Sequence, residues 1–68
     1  MKYVIVIERG ENSWGAYVPD LPGCVAAAET KAEVTRLIRE AVEFHLDGMR
    51  EAGEEIPAPH SEMAYVDI

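Results

Sequence analysis

The sequence predicts an α+β domain with the element order β-β-β-α-β. The expected arrangement is a four-stranded mixed sheet of order 3-2-1-4, with one helix packed on one face. Three observations carry this. Two alternating apolar runs near the N-terminus are joined by turn residues, one long amphipathic stretch follows a capping signal at Thr30, and an alternating run closes the chain after a proline-rich return. The 68 residues allow one domain, 1–68, with no repeat and no low-complexity tract.

Residues 2–8 are rich in β-branched and aromatic side chains, with Tyr3, Ile5 and Ile7 on one face and Val4 and Val6 on the other. A strand apolar on both faces is expected at the centre of a sheet. Arg9-Gly10-Glu11-Asn12 supplies turn chemistry, and Ser13–Val18 alternates Trp14, Ala16 and Val18 against Gly15 and Tyr17, so the pair reads as a hairpin. In Pro19-Asp20-Leu21-Pro22-Gly23, two prolines fix φ and remove backbone donors, while Gly23 permits a left-handed conformation. The expectation is a rigid, shaped loop. Cys24–Glu29 follows as a short third strand carrying three successive alanines.

Thr30-x-x-Glu33 is a capping box: the hydroxyl takes the Glu33 amide, and the carboxylate returns to the Thr30 amide. At 100° per residue, Val34, Leu37, Ile38, Ala41, Val42, Phe44, Leu46 and Met49 form an apolar arc of about 200°. Gly53 stops the helix, and Ile56-Pro57-Ala58-Pro59 turns the chain back. Met63–Ile68 then reads as a fourth strand, joined by a right-handed crossover to lie beside the first. One helix cannot cover both faces of four strands, so the other face meets solvent, a second copy or a partner.

A chain this short buries only about 60% of the surface its unfolded form exposes. Cys24 is the sole cysteine, and with His45 and His60 it matches no zinc spacing. Neither a disulfide nor a metal is therefore expected to supplement the core, which points to association, as a dimer or tetramer. Thirteen acids against six dispersed bases, net −7, argue against a phosphate-binding surface and direct DNA binding. The acidity reads either as a solubility device or as a match for a basic partner. The apolar run at residues 3–7 is too short for a signal-peptide core or a membrane span, and the lone cysteine fits a reducing compartment, so the cytoplasm is the expected location.

No catalytic constellation emerges. His45 falls within the apolar arc, as a general base or as a packed histidine; Cys24 reads as a reactive thiol or a buried structural one. No glycine-rich phosphate loop follows a strand, and Glu8 stands alone at the end of the first strand with no second acid placed to hold Mg²⁺. The sequence implies no catalytic residue, no metal ligand and no cofactor.

Tyr17-Val18-Pro19-Asp20-Leu21-Pro22-Gly23-Cys24 resembles the loop signature of HicB-like antitoxins, in which an aromatic strand leads into Pro-Asp-Leu-Pro-Gly-Cys. Glu29-Thr30 with Glu33, Ala52-Gly53 and Ile56-Pro57-Ala58-Pro59 stand in register with the same family, so the resemblance runs from Lys2 to Ile68. It implies a partial ribonuclease-H-like fold and a non-enzymatic protein. The implied partner is a HicA-type toxin, a small basic mRNA-cleaving protein with a catalytic histidine. The chain departs from longer members by stopping before any helix-turn-helix or ribbon-helix-helix segment. An orphan homo-oligomeric binding or regulatory module of the same fold is the alternative; a residual metal-dependent nuclease would need Glu8 or Asp20.

The residues placed at a partner surface are Asp20 and Leu21, on a loop expected to be rigid and exposed, with Trp14 and Tyr17 as aromatic anchors. Each has a structural alternative: an ordinary turn for Asp20 and Leu21, core packing for Trp14. Pro19, Pro22 and Gly23 shape the loop, and Thr30 and Glu33 cap the helix.

Overall fold

The computed structural model describes all residues, Met1–Ile68. It contains β1 (Val6–Arg9), β2 (Trp14–Tyr17), β3 (Val25–Ala28) and α1 (Lys31–Glu51). The strands form one antiparallel sheet of order β1-β2-β3.

This corrects the expected architecture in two respects. The sheet has three strands, not four in the order 3-2-1-4, and β1 lies at its edge while β2 is central. Met63–Ile68 is extended in pattern but joins no ladder, and its side chains are exposed. The physical reason lies in the placement of α1, which packs mainly over β3 and β2 and least over β1. A strand added outside β1 in the same chain would find little helix to bury its apolar side chains, and burial is what stabilises a strand on a sheet.

β1 is also shorter than its apolar run. Val6 pairs with Tyr17, and one step further the partner strand is lost. The Val18 N–H donates to Cys24 O at 3.2 Å, and Pro19 has no N–H to give. Lys2–Ile5 therefore projects beyond the sheet, without backbone–backbone hydrogen bonds.

The register sets the two faces. Ile7, Ala16 and Ala26 are opposite one another, as are Arg9, Trp14 and Ala28, and these rows face α1. The core gathers Ala16, Val18, Leu21 and Cys24 from the sheet and its loop with Val34, Ile38 and Leu46 from the helix. Phe44, placed in the apolar arc by its spacing, is exposed instead, so the buried stripe is narrower than the sequence implies. His45 is half-buried on the helix.

Both helix ends are closed by local chemistry. Thr30, in extended backbone, accepts the Glu33 N–H on Oγ1 at 3.1 Å. The Glu33 carboxylate makes no return bond to the Thr30 amide, so half of the capping box forms. At the other end Gly53 takes φ +72°, the Gly53 N–H donates to Arg50 O and the Glu54 N–H to Met49 O. That paired arrangement satisfies two carbonyls the helix leaves open, and the left-handed position favours glycine.

Candidate partner-binding surface

The Val18–Cys24 loop joins β2 to β3 through two consecutive turns. The Leu21 N–H donates to Val18 O and the Cys24 N–H to Leu21 O, both at 3.1 Å. Pro19 and Pro22 each hold the second position of a turn, where their fixed φ belongs, and Gly23 at φ +86° occupies the third position of the latter. The loop is thus shaped by the residues that the sequence singles out, but its interior points the other way from the expectation. Asp20 is 3% exposed and Leu21 only 1%, so neither presents its side chain to a partner. The first turn directs Leu21 into the core cluster that includes Val34 and Ile38, where it serves as the loop's core anchor.

Asp20 instead holds the C-terminal segment. Its Oδ2 accepts the backbone N–H groups of His60 at 2.9 Å and Ser61 at 3.0 Å, and its Oδ1 accepts the Ser61 hydroxyl. His60 Nε2 lies 3.1 Å from Oδ1, on the solvent side of the carboxylate. The Ser61 hydroxyl, reinforced by the two amides, holds the Asp20 carboxyl below its ordinary value against the opposing effect of burial. The loop's Asp is therefore a clasp: it fixes the end of the proline-rich return against the β2–β3 loop as a seam. The Tyr3 hydroxyl donates to Pro57 O and ties the same return to the N-terminal segment.

Cys24, at the loop's end, is buried, and burial pushes its thiol above the ordinary value. A thiol of this kind is a poor nucleophile. No group of three side chains is arranged to hold a metal ion, and no helix is long and apolar enough to cross a membrane.

The aromatic residues separate. Trp14 faces the helix side, half-buried against the core, with the Arg9 guanidinium 5.9 Å from its ring centre. Tyr17 is on the opposite face and 41% exposed. That opposite face has no cover in the chain. Across it run Val6, Tyr17 and Val25 in direct register, followed by Glu8, Gly15 and Ala27. Val25 is 66% exposed. Val6 and Val25 were not singled out from the sequence, although their parity with Tyr17 across the strands is the signal that groups them. Ser61 carried no comparable signal, because it meets Asp20 only through the tertiary fold.

Comparison with known proteins gives this arrangement its context. A family model described as "HicB_like antitoxin of bacterial toxin-antitoxin system" matches residues 3–67. An uncharacterised 14.9 kDa protein from the rep-hol intergenic region of Haemophilus phage HP1 is 37% identical over 67 residues, covering 98% of this chain and 50% of the phage protein. A UPF0150 protein of Thermoplasma acidophilum is 33% identical over 63 residues, covering 91% of each chain. A UPF0150 protein of Helicobacter pylori is 47% identical over 49 residues, covering 72% of this chain and 67% of that one. The chain thus spans half the length of the phage protein but most of the archaeal one. No solved structure matches. The matched span takes in β1, the clasped loop, the helix and the seam at Ser61, which are the whole of the fold described above: the chain belongs to the HicB-like antitoxin family of bacterial toxin–antitoxin systems.

Proposed function

We propose that this chain is a non-catalytic antitoxin domain that neutralises a small basic mRNA-cleaving toxin of the HicA type by covering its active surface. The family match over residues 3–67 is the observation that carries the reading. Two physical features support it. The open face of the sheet offers Val6, Tyr17 and Val25 as a contiguous apolar row, and an exposed tyrosine flanked by β-branched residues suits the centre of a protein interface. The charge supports it too. Asp20 is the one buried acid, and Asp47 and Glu40 are engaged with Arg50 and Arg36 on the helix surface, which leaves the other acids free in solvent.

An acidic partner accelerates encounter with a basic one, and it competes with RNA phosphates for the same cations. Tyr17 is the residue placed in the interface, with Val6 and Val25 beside it. Trp14 supports the sheet from behind rather than touching the partner, and Asp20 and Leu21 shape the loop. The domain acts in the cytoplasm, where the mRNA substrate of such a toxin lies, and as a homo-oligomer.

The test is co-expression with a small basic toxin encoded beside this gene. The reading expects growth and mRNA integrity to be restored and the two proteins to co-purify, with association slowing as salt rises. Failure both to restore growth and to co-purify overturns it.

A further inference from the structure

We propose that the open face of the sheet is a receptor for one arginine side chain of a basic partner, floored by Gly15 and walled by Tyr17 and Glu8. It rests on the proposed function for the identity of that partner, and on the face itself for the chemistry of the group taken.

Gly15 lies in the middle of the central strand, opposite Glu8 on β1 and Ala27 on β3. Glycine weakens a strand interior, and it is found there where a left-handed φ, a bulge or a close approach requires it. The first two do not apply. Gly15 is not among the glycines of positive φ, which are Gly23 and Gly53, and both ladders pass it in unbroken register. Nor does this chain itself approach closely. A Cβ at Gly15 would meet nothing nearer than Ala26 O at 4.0 Å, an ordinary van der Waals contact. The space above Gly15 therefore opens outward, and what comes close to the strand there is another molecule.

The surroundings of Gly15 specify the visitor. Tyr17 is the next residue on the same face of β2 and is half-exposed. Glu8 is diagonal to it, which sets the two residues about 7–8 Å apart and leaves a side chain's width between them. Ala27 keeps the remaining side low. Glu8 is exposed and makes no ion pair, while its neighbour Arg9 is turned to the other face against Trp14. It is thus the one charge among the strand residues of this face, beside Val6, Gly15, Tyr17, Val25 and Ala27.

A free carboxylate and an exposed aromatic ring across a bare floor suit a guanidinium. The planar group stacks on the ring, and its N–H fork takes both carboxylate oxygens. A lysine ammonium is a compact, strongly hydrated charge that gains less from either wall. A second copy of this chain is the poorer occupant, because it brings the same Glu8 and the same net −7.

Gly15→Val fills the floor with a residue that suits a strand. It is expected to unfold in urea at the parent's midpoint or above, and to bind a catalytically inactive HicA-type toxin about tenfold more weakly. Chemical-shift titration with a short capped arginine peptide is expected to move the Gly15, Tyr17 and Ala27 amides saturably, and further than its lysine counterpart does. Gly15→Val and Glu8→Gln should both suppress that movement. A Gly15→Val chain less stable than the parent overturns the proposal, since the glycine then serves the fold. So does unchanged toxin binding by this variant, which would leave the face an interface without a receptor. A parent chain that binds no such toxin removes the toxin reading alone, and the arginine peptide then decides: shifts confined to the acidic helix, or equal for lysine, overturn the receptor. Concentration-dependent shifts at Gly15 and Tyr17 in the free chain would assign the face to a second copy and overturn it too.

Discussion

The carboxylate of Asp20 and the hydroxyl and amide of Ser61, forty-one positions apart, form the bond that closes this fold. A buried aspartate in a loop is costly unless each oxygen is satisfied, and Ser61 with the His60 amide satisfies both. In return the segment after the helix, which joins no ladder, acquires a fixed course. The clasp explains why a Pro-Asp-Leu-Pro-Gly loop is paired in this chain with a Pro-x-Pro return: one supplies the acceptor and the other presents consecutive amides to it.

Replacing Asp20 with alanine leaves the His60 and Ser61 amides without their acceptor. The melting temperature should fall by about 10 °C, and by about half that for Ser61→Ala, given the usual cost of lost charge-assisted bonds in a domain this small. Limited proteolysis should cut Asp20→Ala first between residues 56 and 68. Equal melting and equal cleavage patterns for both variants and the parent chain would contradict the clasp.

The pH dependence follows from the direction of the Asp20 shift. Its carboxyl is held below the ordinary 3.8, first by the Ser61 hydroxyl and then by the two amides. A carboxyl depressed on folding contributes stability that is complete above its unfolded value and lost as pH falls through its folded one. The gap in melting temperature between the parent and Asp20→Asn should therefore hold steady from neutral pH to about pH 5 and close progressively below about pH 4. A gap that closes near neutral pH would contradict the assignment to Asp20.

Leu21 and Thr30 separate core anchoring from helix capping. Leu21→Ala empties a fully buried site between the loop and α1, and should cost about 2–5 kcal/mol, enough to unfold much of a domain this small at 37 °C. Thr30→Ala loses one cap bond and should cost about 1 kcal/mol. Denaturant titrations with far-ultraviolet circular dichroism distinguish the two; similar losses for both would show that Leu21 is not the anchor.

Cys24 should behave as a packed side chain. Burial raises its thiol above the ordinary value, so iodoacetamide should label it slowly at neutral pH and rapidly once denaturant is added. Labelling at the rate of a free thiol in the native protein would place the loop's end in solvent.

Local chemistry was readable from the sequence and tertiary pairing was not. The Thr30 cap, the Gly53 stop, the first hairpin and the two proline turns each depend on residues within a few positions of one another, where spacing alone specifies geometry. Met63–Ile68 shows the limit. Its alternation is that of a strand, but a strand needs a neighbour and a helix to bury against, and the placement of α1 over β2 and β3 withholds the latter. The apolar run of β1 misleads for a related reason: β1 lies at the sheet edge, and Val6 is on the face that α1 does not cover, so being apolar on both faces does not make a strand central. Asp20 was legible as special and illegible in role, since an aspartate between two prolines looks exposed until the residues that reach it from forty positions away are in place.

The proposed contact is between the uncovered face of the sheet and a basic toxin. Amide and methyl chemical-shift mapping of the labelled chain, titrated with a catalytically inactive form of a small basic HicA-type toxin, tests it most directly. The account predicts the largest shifts at Val6, Tyr17 and Val25, with Glu8 and Ala27 beside them, and a complex lost in the variant Tyr17→Arg while Leu21, Val34 and Ile38 keep their folded positions. Shifts confined to the helix surface around Phe44, or none at all, would contradict it.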